Sequence, residues 1–312
     1  MSEGNPLSGE TVPTDDLVQP FQVESSHLRG RLVRMGPALD AILTRHDYPA
    51  AVATQLGELV VLTATIATML KFDGILTLQT RTDGPIKLLV ADYVAATRSV
   101  RGYAQYDSER LAALAQSGAS LGRLLGTGHL AFTIDQGPDT ERYQGIVEVV
   151  GTSLVDAVHH YFRQSEQIET GIRVAVARDG ETGPWRGGAV MIQRLPEQDR
   201  GYQDEETRDD QFRHVMSLIA TCRNDELTSA TLTPAALLFR LFHEEGVRVF
   251  APGTILDGCR CSEERVLSIL ASLPPEDRGD LEVDGKIEVR CEFCARLYRI
   301  APERVTAEAT AF

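Results

Sequence analysis

The sequence has few basic residues for its size, and this shortage excludes two classes of partner. Lysine and arginine number 31 against 45 aspartate and glutamate, which gives a formal net charge of −14 over 312 residues. Nucleic acids and anionic membrane surfaces attract proteins that present clustered positive charge. We therefore expect neither nucleic acid nor a membrane among the partners of this chain.

Long apolar runs and targeting signals are also lacking. The longest apolar stretch, residues 59–70, has 12 residues, and a membrane span needs about 20, so we expect a buried helix. Residues 1–16 have neither the basic start nor the apolar centre of a secretory signal and are predicted to be a disordered tail. We expect a cytoplasmic protein, in which clustered cysteines more often bind metal or act as redox groups than form structural disulfides.

Residues 17–199 show alternating apolar patterns that are separated by turns and by helical segments. Predicted strands cover residues 21–33, 75–80, 86–93, 100–106, 129–135, 143–150, 172–177 and 189–195, and predicted helices cover residues 37–46, 49–70 and 153–165. Turn signals such as residues 82–85 join successive strands directly, which favours antiparallel pairing. The sequence predicts an α+β core domain of antiparallel sheets with helices, rather than a doubly wound parallel fold.

An acidic run at residues 197–210 marks the predicted end of the core domain. The following segment, residues 200–256, is called the linker and is predicted to be mainly helical. One helix contains Cys222 on its apolar face, where a buried structural cysteine is favoured over a fifth redox thiol. A second helix is predicted from Thr233 to Gly246, because threonine caps a helix and glycine commonly follows one.

Four of the five cysteines lie close to the C-terminus in two tight pairs, Cys259-x-Cys261 and Cys291-x-x-Cys294. Two such pairs brought together form a closed tetrahedral site that suits Zn²⁺. Residues 257–312 form too small a module to fold on a hydrophobic core alone, so a metal is expected to stabilise it. The sequence predicts a small C-terminal zinc-binding domain.

The same thiolates are open to oxidation, which would remove the ligands and the folding contribution of the metal. A redox switch is therefore chemically available, and Arg260 between the first two cysteines would lower the pKa of neighbouring thiols. The alternatives are a binding or scaffold protein with a static zinc and a thiol oxidoreductase that uses Cys291 and Cys294. A nucleic-acid-binding zinc module is disfavoured, because residues 257–312 contain twelve acids and eight basic residues.

The chain resembles the heat-shock protein 33 family, the redox-regulated 33 kDa chaperonins, over residues 18–305. The pattern of four cysteines is the switch motif of that family, and further motifs follow in the same order along the chain. These are HDYP at 46–49, TATIATMLKFDG at 63–74, DGP at 83–85, RGYA at 101–104, ERYQGIV at 141–147, YFRQSEQIET at 161–170, GGAVMIQRLP at 187–196 and FHEEGVRVF at 242–250.

The resemblance implies a core domain, a metastable linker and a redox-switch domain that holds one Zn²⁺ per chain when it is reduced. Oxidation in this family joins Cys259 to Cys261 and Cys291 to Cys294, releases zinc and unfolds the linker. The active form is a homodimer that binds unfolding client proteins without ATP during oxidative stress. The resemblance thus implies a holdase chaperone and not an enzyme, and no nucleophile–base–acid set stands out in the sequence.

Overall fold

The computed structural model describes residues 15–26, 28–116, 122–137, 140–150, 153–194 and 205–309. These residues form three β-sheets with helices between and beside them. All strand pairs in the described sheets are antiparallel except one pair of two residues. The predicted α+β class with largely antiparallel sheets is confirmed. The predicted tail of residues 1–16 lies outside the described residues except for Asp15 and Asp16.

Two large sheets of six strands form the core. The strands of the first sheet are β1 (Leu17–Val23), β2 (Leu28–Met35), β8 (Thr170–Arg178), β9 (Trp185–Gln193), β10 (Val247–Val249) and β11 (Gly253–Thr254). The strands of the second sheet are β3 (Ile75–Thr82), β4 (Ile86–Val94), β5 (Ser99–Tyr106), β6 (Thr127–Asp135), β7 (Tyr143–Val150) and β12 (Leu256–Asp257). The first sheet is ordered β10-β1-β2-β9-β8, with β11 also pairing with β1, and the second is ordered β12-β5-β4-β3-β6-β7.

The helices connect the sheets and then dominate the second half of the chain. They are α1 (Pro37–Thr44), α2 (Ala50–Met69), α3 (Ser108–Gln116), α4 (Gly122–Leu125), α5 (Leu154–Tyr161), α6 (Glu205–Ala220), α7 (Asn224–Leu227), α8 (Pro234–Phe242), α9 (Glu263–Ser272), α10 (Pro275–Gly279) and α11 (Pro302–Ala309). A π-helical turn, Phe162–Glu166, continues α5. The predicted helix over residues 153–165 therefore changes its hydrogen-bonding pattern in its last turn.

Helix α2 is the centre of the core and lies between the two large sheets. Its length and composition would allow it to cross a membrane, but 78% of the 18-residue apolar stretch within it is buried inside the protein. Close approach of the strands requires glycine, because a Cβ on Gly102 of β5 would lie 2.7 Å from Val60 Cγ2 and one on Gly187 would lie 2.8 Å from Val61 Cγ2. The predicted buried helix is thus found, and it extends beyond the apolar run that indicated it.

The prediction of one strand over residues 21–33 with a glycine turn at its end is wrong. The structure has two strands there, β1 and β2, and they form a hairpin whose turn lies around the polar residues 24–26. Gly30 lies within β2, where the ring of Phe21 covers it. A side chain would not fit at this position, because a Cβ there would lie 2.1 Å from Phe21 Cζ. The glycine marks a close packing position, not a turn.

Two predicted helix boundaries also shift. Pro49 is the N-cap of α2 rather than its first helical residue. Helix α8 has Thr233 as its N-cap, as predicted, but it ends at Phe242. Gly246, with φ +70°, lies four residues farther on in the turn before β10.

The linker packs on the outer face of the first sheet. Its apolar side chains and those of β1, β2, β8 and β9 share a second hydrophobic cluster that is separate from the cluster around α2. Cys222 lies two residues beyond the end of α6 and not on the helix as predicted, but it belongs to this cluster and is 1% exposed, so it occupies a buried packing position. The C-terminal part of the linker then adds the strands β10, β11 and β12 to both core sheets.

The C-terminal module has its own small sheet and its own apolar cluster. Its strands are β13 (Glu282–Val283), β14 (Lys286–Arg290) and β15 (Leu297–Ile300). Its cluster contains the buried residues Val266, Leu267, Leu270, Ile287, Tyr298, Ile300 and Val305. Because this cluster is small, the module has little apolar burial with which to stabilise itself.

Candidate metal and redox site

The four cysteines lie on two loops that local structure holds in place. Cys259 and Cys261 lie between β12 and α9, whose N-cap Ser262 accepts a hydrogen bond from the amide of Arg265 at 3.2 Å. The second loop, residues 291–294, lies between β14 and β15. Its turn is closed by the amide of Ala295, which donates to the Cys291 carbonyl at 2.8 Å.

The structure brings all four predicted ligands together. Their sulfur atoms lie within 4.8 Å of one another, with 3.7 Å between Cys259 and Cys291 and 3.3 Å between Cys261 and Cys294. Sulfurs that share a tetrahedral zinc ion lie about 3.8 Å apart, since each Zn–S bond is about 2.3 Å long. Four sulfurs with no oxygen or nitrogen donor suit Zn²⁺, so the residues present fit this ion.

Two polar side chains contact the sulfurs from outside the ligand set. The hydroxyl of Tyr298 on β15 donates to Cys261 Sγ at 3.1 Å, and this bond raises the pKa of Tyr298. Arg101 on β5 donates from Nη1 to Cys259 Sγ at 3.7 Å. Such partners orient metal ligands and stabilise their charged form.

The thiols differ in how readily they ionise without a metal. Burial raises the pKa of Cys259. Hydrogen bonds from the Cys261 amide and thiol and from Arg101 lower it by more than burial raises it, so the pKa of Cys259 is about 7. Burial raises the pKa of Cys294 to about 12 and also raises that of Cys291. Cys259 is therefore the thiol of these three that forms a thiolate most readily near neutral pH.

The second cysteine loop docks directly on the core through Phe293. The guanidinium carbon of Arg101 lies 3.7 Å from the centre of the Phe293 ring, and the ring of Tyr103 lies 6.1 Å away, centre to centre. Arg101 is held by an ion pair with the buried Asp92 at 2.6 Å. One arginine thus contacts the core carboxylate, a cysteine sulfur and the aromatic ring of the second cysteine loop.

The first cysteine loop docks beside it through two further ion pairs. Arg260 reaches the same carboxylate, with 2.9 Å between its Nη2 and Asp92 Oδ2, and Arg45, the C-cap of α1, pairs with Asp257. The arginine hydrogen-bonded to the Cys259 sulfur is therefore Arg101 from the core, whereas the sequence pointed to Arg260. The RGYA motif contains Arg101, but nothing local in the sequence shows that this strand lies beside the cysteines.

The comparisons with known proteins give one family. A sequence model of the Hsp33 protein family matches residues 16–301. The 33 kDa chaperonin of Caulobacter vibrioides is 41% identical over 301 residues, which cover 95% of this chain and 98% of that protein. The 33 kDa chaperonin of Pseudomonas fluorescens is 39% identical over 289 residues, covering 92% of this chain and 91% of that protein.

A solved structure has the same fold. The crystal structure of the 33 kDa chaperonin (heat shock protein 33 homolog) of Thermotoga maritima matches with a TM-score of 0.78 at 22% identity, and the match covers 95% of this chain and 98% of that one. The family model and the identities over nearly the whole chain agree with the four-cysteine geometry. The chain belongs to the Hsp33 family.

Proposed function

We propose that this chain is a chaperone that holds unfolding proteins without ATP and is switched on by oxidation. The observation that carries the proposal is the cluster of four cysteine sulfurs, which join two loops of a weakly packed module at a site docked on the core. The names of its relatives support the chaperone role. Client proteins, and a homodimer in the active state, are the proposed partners, and the cytoplasm is the proposed location.

In the proposed reduced state Cys259, Cys261, Cys291 and Cys294 hold one Zn²⁺ per chain. The ion supplies a cross-link between the two loops and keeps the sulfurs deprotonated. The module is thereby kept on the core, and through β10, β11 and β12 the end of the linker stays paired with both core sheets. In this state the chaperone is inactive.

In the proposed oxidised state the cysteines form the disulfides Cys259–Cys261 and Cys291–Cys294. As each S–S bond forms, two thiolates lose two electrons in total, and one molecule of hydrogen peroxide accepts these electrons with two protons, breaking its O–O bond to give two waters. The oxidised sulfurs no longer bind zinc, so the module loses a stabilisation on the order of 10 kcal/mol in comparable small zinc domains. The linker then unfolds from the core and the exposed surfaces bind clients.

The experiment follows zinc and chaperone activity in one sample. The reduced protein is treated with hydrogen peroxide at mildly raised temperature, and zinc release is measured with a chromogenic chelator while aggregation of a heat-denatured client is followed by light scattering. We expect zinc release and suppression of aggregation to rise together. Oxidised protein that keeps its zinc and leaves aggregation unchanged contradicts the proposal.

A static structural zinc site is the second candidate. It predicts that oxidation only destabilises the protein, with no gain of holding activity, and that Cys→Ser variants are destabilised in the same way. The contact of Arg101 with Cys259 favours the switch, because it connects the charge of a ligand directly to the core.

A thiol oxidoreductase is disfavoured by the environment of the second pair. Such enzymes need a thiolate of low pKa, usually at the start of a helix. Here Cys291 and Cys294 lie between two strands, and burial raises the pKa of both thiols. We expect little turnover in an insulin-reduction assay.

A further inference from the structure

The outer face of the first sheet ends in two arginines that lie under the linker. Alternate residues of β2 and β9 point to this face, and in both strands the apolar positions give way to arginine at one end. These residues are Leu28, Gly30, Leu32 and Arg34 on β2 and Arg186, Gly188, Val190 and Ile192 on β9. Arg34 pairs in register with Gly188, so the two arginine side chains are neighbours.

Arg34 is buried and binds the linker through main-chain oxygens. It is 1% exposed, and its Nη2 donates to the Glu226 carbonyl at 2.7 Å. Its Nη1 donates to the carbonyl of Ser229 at 2.8 Å and to that of Leu232. In the described part of the chain, the hydrogen bonds of its two terminal nitrogens all go to main-chain carbonyls of the linker. This contact therefore does not depend on the identity of the linker side chains.

Arg186 binds the same stretch in the same way. Its Nε donates to the Thr228 carbonyl at 2.8 Å and its Nη2 donates to the Ser229 carbonyl at 3.3 Å, while Asp15 forms an ion pair with it. Gly188 lets the linker backbone come close, since a Cβ there would lie 2.5 Å from the Leu227 carbonyl oxygen. Two guanidinium groups thus hold four carbonyls of residues 226–232.

A buried guanidinium needs hydrogen-bond acceptors, because it carries five N–H donors and loses its water on burial. If the linker leaves, Arg34 and Arg186 lose all four of these carbonyls at once. Folded proteins keep their own carbonyls in helices and sheets, whereas an unfolded chain has them free. A pair of arginines beside apolar side chains therefore distinguishes unfolded from folded polypeptide without reading sequence.

We propose that Arg34 and Arg186 form a receptor for main-chain carbonyls, which residues 226–232 occupy in the docked state and an unfolded polypeptide occupies after the linker leaves. Leu32, Val190 and Ile192 beside them accept apolar side chains of the same polypeptide. This inference rests on the proposed function, since it requires release of the linker.

The test measures peptide binding to the full-length, oxidised, zinc-free protein. The probe is a short fluorescein-labelled peptide of leucine, serine and glycine with capped ends, so that it has carbonyls but no charged side chain. We expect Arg34→Met and Arg186→Met each to weaken its binding about tenfold. Arg34→Lys is not expected to restore binding, because an ammonium group lacks the planar fork that reaches several carbonyls.

Arg29→Met is the matched control, because Arg29 lies on β2 but on the opposite face, where its Nη2 donates to the Gln193 side chain at 3.1 Å. Arg186→Met keeps the test valid if Arg34→Met does not fold. Equal affinity in the arginine variants and the control overturns the inference. So does a loss that appears only with a glutamate-containing peptide, since that result indicates pairing with carboxylates.

Client aggregation separates this inference from the proposed function. Oxidised wild-type protein that holds clients, together with arginine variants that bind the peptide normally, disproves the receptor alone. Oxidised wild-type protein that neither holds clients nor binds the peptide disproves the proposed function and removes the second occupant of the receptor with it.

Discussion

Glu58 is a half-buried carboxyl group on α2, and it gives the core a dependence on pH. Burial raises its pKa from 4.5 to about 7, although a hydrogen bond from Gln55 at 3.4 Å lowers it slightly. Between these two pKa values the folded state keeps a proton that the unfolded state has released, so stability falls as the pH rises through this range.

We expect Glu58→Gln to be more stable than the wild type above pH 7 by about 1–2 kcal/mol, after allowance for partial solvent exposure, because the amide carries no charge. Below about pH 4.5 the two proteins are expected to be equally stable, since the carboxyl is neutral in both states. Urea unfolding over a pH series measures this. The exposed Glu109→Gln is the control, and a difference that does not change with pH contradicts the assignment.

Tyr298 is not one of the four cysteine ligands, but its hydroxyl lies closer to a sulfur than the guanidinium of Arg101 does. Tyr298→Phe removes the 3.1 Å hydrogen bond to Cys261 but keeps the aromatic ring in the small apolar cluster. We expect the zinc affinity of the reduced protein to fall about tenfold, as is typical when a partner of a ligand is removed. Competition with a chelator measures it. Tyr143→Phe is the control, because its hydroxyl donates to Glu166 instead, and equal affinities in both variants would show that the bond has no role.

At the scale of helices and strands, local patterns in the sequence were sufficient where the signal was local. The hairpin of β3 and β4 and the cap of α8 at Thr233 follow from turn residues and capping chemistry. The sequence does not predict the hairpin of β1 and β2, because Gly30 is typical of a turn, whereas in the structure its missing side chain makes room for Phe21. Close packing across strands leaves no mark in the neighbouring sequence.

The N-cap of α8 connects linker stability to a single hydroxyl. Thr233 Oγ1 accepts a hydrogen bond from the Ala236 amide at 3.2 Å. We expect Thr233→Ala to destabilise the docked linker by about 1 kcal/mol and so to increase the hydrogen exchange of α8 amides about fivefold. In the proposed function the variant also needs less oxidant or less heat to become active.

Ser217→Ala is the matched control for the cap. Ser217 is exposed on α6, and its hydroxyl donates only to a carbonyl of its own helix, that of His214 at 2.6 Å. Alanine favours a helix slightly more than serine does, so Ser217→Ala is not expected to increase the exchange of the α8 amides. Equal exchange of α8 in both variants, measured by mass spectrometry, would show that the cap does not limit linker stability.

For the whole molecule, the sequence predicted the parts but not how they are joined. The four cysteines were found from spacing, since a metal site in a small module has a local signature. The return of β10, β11 and β12 to the core sheets was not found, because these strands have two or three residues and pair with partners more than 150 positions away. The sequence does not indicate the contact of Arg101 with Cys259 for the same reason.

The contact of Phe293 with Arg101 and Tyr103 is the aromatic part of the joint between the module and the core, beside the ion pairs Arg260–Asp92 and Arg45–Asp257. Phe293→Ala keeps all four cysteines, so the reduced protein is expected to retain one zinc per chain. A guanidinium on an aromatic ring contributes about 0.5–2 kcal/mol, so the module should leave the core more often. We expect limited proteolysis at residues 250–258 to become about tenfold faster and the radius of gyration to increase in small-angle scattering, with zinc content unchanged.

Phe250→Ala is the control for this joint, because Phe250 lies in the same region but its side chain is exposed, and its backbone makes the contacts with β1. If Phe293→Ala loses zinc together with its docking, the module and its metal site form one unit and the joint has no independent role. If it keeps zinc and undocks, then docking and metal binding are separate steps. Zinc would in that case stabilise the module itself, while Arg101 would communicate its state to the core.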